Sequence, residues 1–268
     1  MIDSVEPPHP SRIIREIRGL VELPRLLFRF PELARQPRGD GQPVILLPGY
    51  GAGDGSTAIL KGYLRLLGYR ARGWGLGRNT GVTTELLPRI LKRVSSLARR
   101  SNQKVGLIGW SFGGYLAREL ARERADLVGQ VITLGTPVIG GPKYTVVANW
   151  YRDRGIDVDA IAAEVELRNR ISFTTPVIAI YSRRDAVVAW QACIDQNALN
   201  VEHIEVRTTH FGLGFSPDVY KIIAQRLAPT PALVVAPSGT PAVADLQLQS
   251  SAVALNTTPD YSLVQKKP

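Results

Sequence analysis

The stretch Lys104–Gly114, KVGLIGWSFGG, decides the fold. An apolar run, Val105–Ile108, leads into Gly109-Trp110-Ser111-Phe112-Gly113, and a helical pattern starts at once with Gly114-Tyr115-Leu116-Ala117-Arg118. A G-x-S-x-G pentapeptide set between strand and helix lifts a serine hydroxyl to the top of a sheet. The glycines two places before and after Ser111 have a steric reason: the serine backbone is strained and its neighbours approach closely, so Cβ atoms there would clash. Open α/β sheets bind ligands at this edge, and the helix N-terminus behind Ser111 favours developing negative charge. Ser111 is the candidate nucleophile.

Outward from this point, residues 43–228 alternate strand-like and helix-like stretches. Strands are predicted at Val44–Leu47, Tyr69–Trp74, Val105–Ile108, Val128–Leu134, Pro176–Tyr181 and Ile204–Arg207; helices at Ala58–Leu67, Thr84–Arg99, Phe112–Arg124 and Pro217–Leu227. Apolar strands alternating with helices predict an α/β protein, a mostly parallel central sheet with helices on both faces. The interval from Thr136 to Thr175 is too long for a simple crossover and contains a further helix candidate, Asp157–Arg170.

A serine hydroxyl needs a base, and the chain has three histidines. His9 lies in PPHP, ahead of the folded region. His203 shares a strand face with Glu205 and Arg207, opposite Ile204 and Val206, and is expected to face solvent. His210, in the loop THFGLGFSP between the last strand and the last helix, is the candidate base. The group that orients it should be acidic. Asp185, just past the strand PVIAIYS, is favoured; Asp195 is the alternative and is expected at the surface or in a cap. The order Ser111, Asp185, His210 excludes the chymotrypsin-like and subtilisin-like arrangements.

These segments resemble the α/β-hydrolase superfamily, particularly its lipase and esterase branches. The resemblance is carried by VILLPGYGAG, GWSFGG, VIAIYSRRDAVV and THFGLGF, with Leu134-Gly135-Thr136-Pro137 similar to the LGTP turn of bacterial lipases. It implies the α/β-hydrolase fold over 43–228, with a cap or lid insertion at about 137–175. It also implies an oxyanion hole from the backbone N–H groups of Tyr50 and Phe112, although Pro48 stands where lipases more often have histidine. Trp110 and Trp150 are the candidate substrate-binding residues. The activity implied is ester hydrolysis through an acyl-enzyme, on a small-molecule or lipid ester. A thioesterase or acyltransferase would use the same apparatus, and a non-catalytic binding protein is the alternative of a different class. Dehalogenase and epoxide-hydrolase relatives are disfavoured because they carry aspartate where this chain has Ser111.

The composition sets outer limits. A single cysteine, Cys193, excludes an intramolecular disulfide, and three histidines make a metal site improbable, so no metal or cofactor is expected. Gly51-Ala52-Gly53-Asp54-Gly55 lacks the Gly-Lys-Ser/Thr ending of a phosphate loop. The first residues, MIDSVEPPHP, lack the pattern of a signal peptide, and no run approaches a membrane span, which predicts a cytoplasmic protein. The formal charge is +10, and residues 61–104 hold eleven Lys/Arg against one acid, Glu85. No nucleic-acid motif accompanies that charge. In the extension 1–42, Ile13, Ile14, Ile17, Leu20 and Val21 recur at helical spacing, which predicts an amphipathic helix packing on the core. This stripe and the basic segment together suggest peripheral contact with an anionic membrane. The Pro/Ala/Ser/Thr-rich tail, 229–268, has the composition of a disordered segment.

Overall fold

In the computed structural model, residues 5–196 and 198–228 are described; the tail expected to be disordered lies outside them. Six strands form one sheet: β1 (Pro43–Leu47), β2 (Arg70–Gly73), β3 (Val105–Trp110), β4 (Val128–Leu134), β5 (Val177–Tyr181) and β6 (Val201–Glu205). Their order is β2-β1-β3-β4-β5-β6, and every pair is parallel. The chain runs outward from β1 to β2 and then returns to lay β3 on the other side of β1. That reversal makes a topological switch point, and its crevice opens at the C-terminal ends of β1 and β3.

Alternate strand residues feed two cores. Val44 and Leu46 join Ile108, Ile132, Ile178 and Ile180 on one face, under α3 (Ala58–Leu66) and α8 (Pro217–Leu227). Ile45 and Leu47 join Leu107 and Val131 on the other, under α4 (Thr83–Ser101) and α5 (Phe112–Glu123). The basic residues of 61–104 therefore do not form one face. Those of α3 lie on one layer and those of α4 on the opposite one, because the two helices cover different sides of the sheet.

The extension also differs from its periodic reading. A 3₁₀ helix, Pro10–Val21, leads into α1 (Glu22–Phe28) and α2 (Phe30–Leu33). Leu26 and Leu33 enter the core, and Arg25 and Arg29 pair with Asp218 of α8. The isoleucine stripe does not pack: Ile13, Ile14, Ile17, Leu20 and Val21 are all exposed, while Glu16, Gly19 and Glu22 are buried. Three residues per turn put Glu16, Gly19 and Glu22 in one row. That row is drawn inward because its carboxylates satisfy buried donors, as described below.

The insertion between β4 and β5 holds a short 3₁₀ turn (Gly141–Tyr144), α6 (Ala148–Arg152) and α7 (Val158–Asn169). Its base is held firmly. Arg168 pairs with Glu119 and Glu123 of α5, Arg122 donates to the Ile171 carbonyl at 2.8 Å, and Asn169 donates to the Val138 carbonyl at 2.8 Å. Ala162 and Val165 are buried, with Val165 packed beside Gly141 of the 3₁₀ turn. Their apolar surface therefore fastens the insertion to the fold.

Candidate active site

Ser111 sits between β3 and α5 with φ 53° and ψ −123°, one of two non-glycine residues with positive φ among those described. Its strained backbone is held from both sides. Its N–H donates to the Leu134 carbonyl at 2.8 Å, and its carbonyl accepts from the Gly114 N–H at 2.9 Å and the Thr136 hydroxyl at 2.9 Å. A Cβ on Gly113 would collide with the carbonyl oxygens of Leu47 and Pro48, which is the steric reason for the pentapeptide's last glycine. A Cβ on Gly49 would stand 3.4 Å from that of Ser111, so the Pro48-Gly49-Tyr50 loop flanks the serine at the switch point.

Asp185 follows β5 and His210 follows β6, both at the same edge of the sheet. His210 Nδ1 lies 2.7 Å from Asp185 Oδ2, and both side chains are almost fully buried. A carboxylate can only accept, so Nδ1 carries the proton and Nε2 is left as the basic nitrogen. The other carboxylate oxygen, Oδ1, accepts from the N–H groups of Val187 and Val188 at 2.8 and 2.7 Å, which fixes its plane. Gly135, at the end of β4, has φ +56°; a Cβ there would stand 3.0 Å from His210 Nδ1 and 3.1 Å from Asp185 Oδ2. Burial disfavours the charged imidazole, yet the charge and hydrogen bond of Asp185, helped by Glu16, prevail and raise the His210 pKa above its ordinary value.

Glu16 is the residue that sequence reasoning missed. It is 3% exposed and reaches from the extension into both loops. Oε1 accepts from the N–H groups of Ala186 (2.9 Å) and His210 (3.2 Å), and Oε2 accepts from Phe211 (2.8 Å). Glu22, two turns on, accepts from the Thr208 hydroxyl at 2.8 Å. A Cβ on Gly19, between them, would come 2.6 Å from the Thr209 hydroxyl oxygen. The trace of this in the sequence is the spacing of three between Glu16, Gly19 and Glu22, which matches a 3₁₀ row.

Two expectations are corrected. Asp195 is not at the surface: it caps the Ala198 N–H locally at 3.1 Å, but it is buried and pairs with Arg118 at 2.6 Å, the guanidinium being fully buried too, while Asp185 is the acid on His210. His203 does not simply face solvent, because its Nε2 accepts the Asp195 N–H at 2.8 Å and burial lowers its pKa. Both belong to one structural cluster. Of the flanking aromatics, the Trp110 ring is buried between His210 (centroids 6.3 Å) and Phe215 (6.1 Å). Phe112 stacks on Tyr115 at 5.7 Å and packs against the core on the α4 and α5 side. Trp150 of α6 is 40% exposed and stands 6.4 Å from the Tyr50 ring, with Tyr151 6.1 Å from Tyr50. The insertion thus meets the loop beside Ser111 through these three rings. Among the described residues no cluster of histidine, cysteine and carboxylates could hold a metal ion, and no helix is long and apolar enough to cross a membrane.

No protein-family model and no curated protein sequence matches the chain. Solved structures do. A metagenome-derived lipolytic enzyme of the LipS and LipT study is similar with a TM-score of 0.56 and 14% identity, over 71% of this chain and 93% of that one. The α/β superfamily hydrolase of Oenococcus oeni has a TM-score of 0.52 and 16% identity, over 69% of this chain and 91% of that one. The chain has the α/β-hydrolase fold. Mouse alpha/beta hydrolase domain-containing protein 10 is also similar, with a TM-score of 0.50 and 18% identity over 71% and 89% of the two chains. At these identities the likeness speaks for the α/β-hydrolase fold alone, and the chemistry rests on the residues at the sheet edge.

Proposed function

We propose that the protein is a serine hydrolase acting on carboxylic esters, with Ser111 as nucleophile, His210 as general base and Asp185 orienting it. The observation that carries this reading is the buried 2.7 Å pair of His210 and Asp185, at the same edge of the sheet as a serine in strained elbow geometry. In this reading Ser111 Oγ attacks the ester carbonyl carbon while its proton passes to His210 Nε2. The tetrahedral oxyanion is met by the N–H groups of Tyr50 and Phe112, each worth roughly 2.7–4 kcal/mol of transition-state stabilisation. His210 returns the proton to the leaving alkoxide as the C–O bond breaks. Water then attacks the acyl-enzyme, giving a proton to His210, which passes it to Ser111 Oγ as the acyl C–O bond breaks and the acid is released.

The similar structure described as a lipolytic enzyme agrees with an ester substrate. Trp110 lies against His210 and Trp150 is exposed at the rim, so Trp150 is the better placed of the two to touch an acyl or alcohol group. The test is intact mass after incubation with a fluorophosphonate, on wild type and Ser111→Ala together. One adduct on wild type, none on the variant, and loss of ester turnover in the variant are expected. A folded wild type that takes no adduct, or a variant that still turns over esters, overturns the reading.

A further inference from the structure

Beside the Asp185 and His210 loops, on the side covered by the extension, lies a cavity of about 630 Å³ bordered by Arg15, Arg18, Arg183, Arg184 and Arg207. Arg25 also borders it but is tied to Glu22 at 2.8 Å and to Asp218. Glu22, the one acid in the lining, is engaged by Arg25 and Thr208. Arg183 pairs with Glu205 at 3.2 Å and lies over the Trp190 ring. Arg15, Arg18, Arg184 and Arg207 form no ion pair with a carboxylate among the described residues, so four arginines without such a partner border one concave surface. Guanidinium forks suit phosphate oxygens in both charge and geometry.

The apolar row lies next to this cavity. With three residues per turn, the 3₁₀ helix presents Arg12, Arg15 and Arg18 along one edge and Ile14, Ile17 and Leu20 along the next. Those three apolar side chains are 66, 59 and 64% exposed. A soluble polyanion would satisfy the arginines and leave this row in water. An anionic lipid bilayer satisfies both, phosphates at the arginines and acyl chains at the isoleucines.

We infer that this face docks on an anionic phospholipid surface, with Arg15, Arg18, Arg184 and Arg207 taking headgroup phosphates and Ile14, Ile17 and Leu20 entering the acyl boundary. The inference goes beyond the hydrolase reading and does not depend on it. It assigns the contact to the extension and not to α4, whose basic residues lie on the opposite face of the sheet.

The test is cosedimentation of the full chain with phosphatidylcholine vesicles containing roughly one third phosphatidylglycerol, against phosphatidylcholine alone. Wild type should bind the mixed vesicles only, and release at about 0.5 M salt, where the Debye length is a few ångströms. Arg15→Gln/Arg18→Gln/Arg207→Gln should lower partitioning about a hundredfold, and Arg18→Gln alone about fivefold. Ile14→Ser/Ile17→Ser should also weaken it, with far-UV circular dichroism unchanged in each variant, whereas Lys92→Gln/Arg93→Gln on α4 should bind as wild type. Absence of vesicle binding, equal binding to phosphatidylcholine, or loss through the α4 pair overturns the inference. So does an isoleucine variant that binds fully, which would point to a soluble phosphate ligand or a nucleic acid at the arginines.

Discussion

Replacing Glu16 by glutamine tests whether the extension is part of the catalytic apparatus. The carboxylate accepts three backbone N–H groups from the two loops that carry Asp185 and His210. In Glu16→Gln the amide oxygen can keep the Ala186 and His210 bonds, but its NH₂ group then meets the Phe211 N–H donor to donor. One orphaned buried donor costs about 1–3 kcal/mol, and the two retained bonds weaken as the acceptor loses its charge. The sum is about 3 kcal/mol, which for a domain of this size lowers the thermal midpoint by roughly 6–12 °C. Glu16→Ala, with three donors orphaned, should be far less stable.

The consequence for the site separates positioning from mere stability. The Glu16 charge is one of the groups that raise the His210 pKa. Removing it lowers that pKa, so the acid limb of the fluorophosphonate labelling rate should move to lower pH, because the imidazole remains a neutral base further down the scale. At the pH optimum the rate should still fall, by about one to two orders of magnitude, since a loosened His210–Phe211 turn misplaces the imidazole. The assay is the second-order labelling rate of Ser111 against pH, measured well below the variant's thermal midpoint. A variant with a lowered midpoint but an unmoved acid limb and an unchanged plateau would refute the reasoning and leave Glu16 a structural residue only.

Three further outcomes bear on the proposed roles. Asp185→Asn should reduce kcat for ester hydrolysis by about 10⁴-fold, since an asparagine that keeps its hydrogen bonds stabilises the wrong imidazole tautomer; a loss below tenfold would sink Asp185 as the orienting acid. Wild-type activity should fall on acidification, with its midpoint above the ordinary histidine value of about 6.5, because the raised pKa protonates the base earlier on the way down. Gly113→Ala should abolish labelling and lower the thermal midpoint, because its Cβ would meet the Leu47 and Pro48 carbonyl oxygens. Wild-type labelling in that variant would mean that the elbow has room it is not shown to have.

What could be read from the sequence was local, and what could not depended on partners far along the chain. The elbow was legible because strand, serine and helix are consecutive and their glycines answer clashes within a few residues or with the neighbouring strand end. β1, β3, β4 and β5 were legible because burial leaves nearly continuous apolar runs; β6 was placed two to three residues too late because it is an edge strand whose register is set by Val177↔Val201. Asp195 and His203 were misread for a related reason. Alternation on an edge strand says which side a residue takes, and nothing about Arg118, 77 positions away, which draws the carboxylate inward. The extension shows the limit most clearly. Its isoleucines invite a burial reading at 3.6 residues per turn, but a buried carboxylate with three N–H donors outweighs what one isoleucine row gains from the core. Once Glu16 faces inward at three residues per turn, Ile14, Ile17 and Leu20 are carried outward by geometry, beside the arginines. The exposed apolar row is thus a consequence of holding the loops that carry Asp185 and His210, and a bilayer is the surface on which that exposure would cease to be a cost.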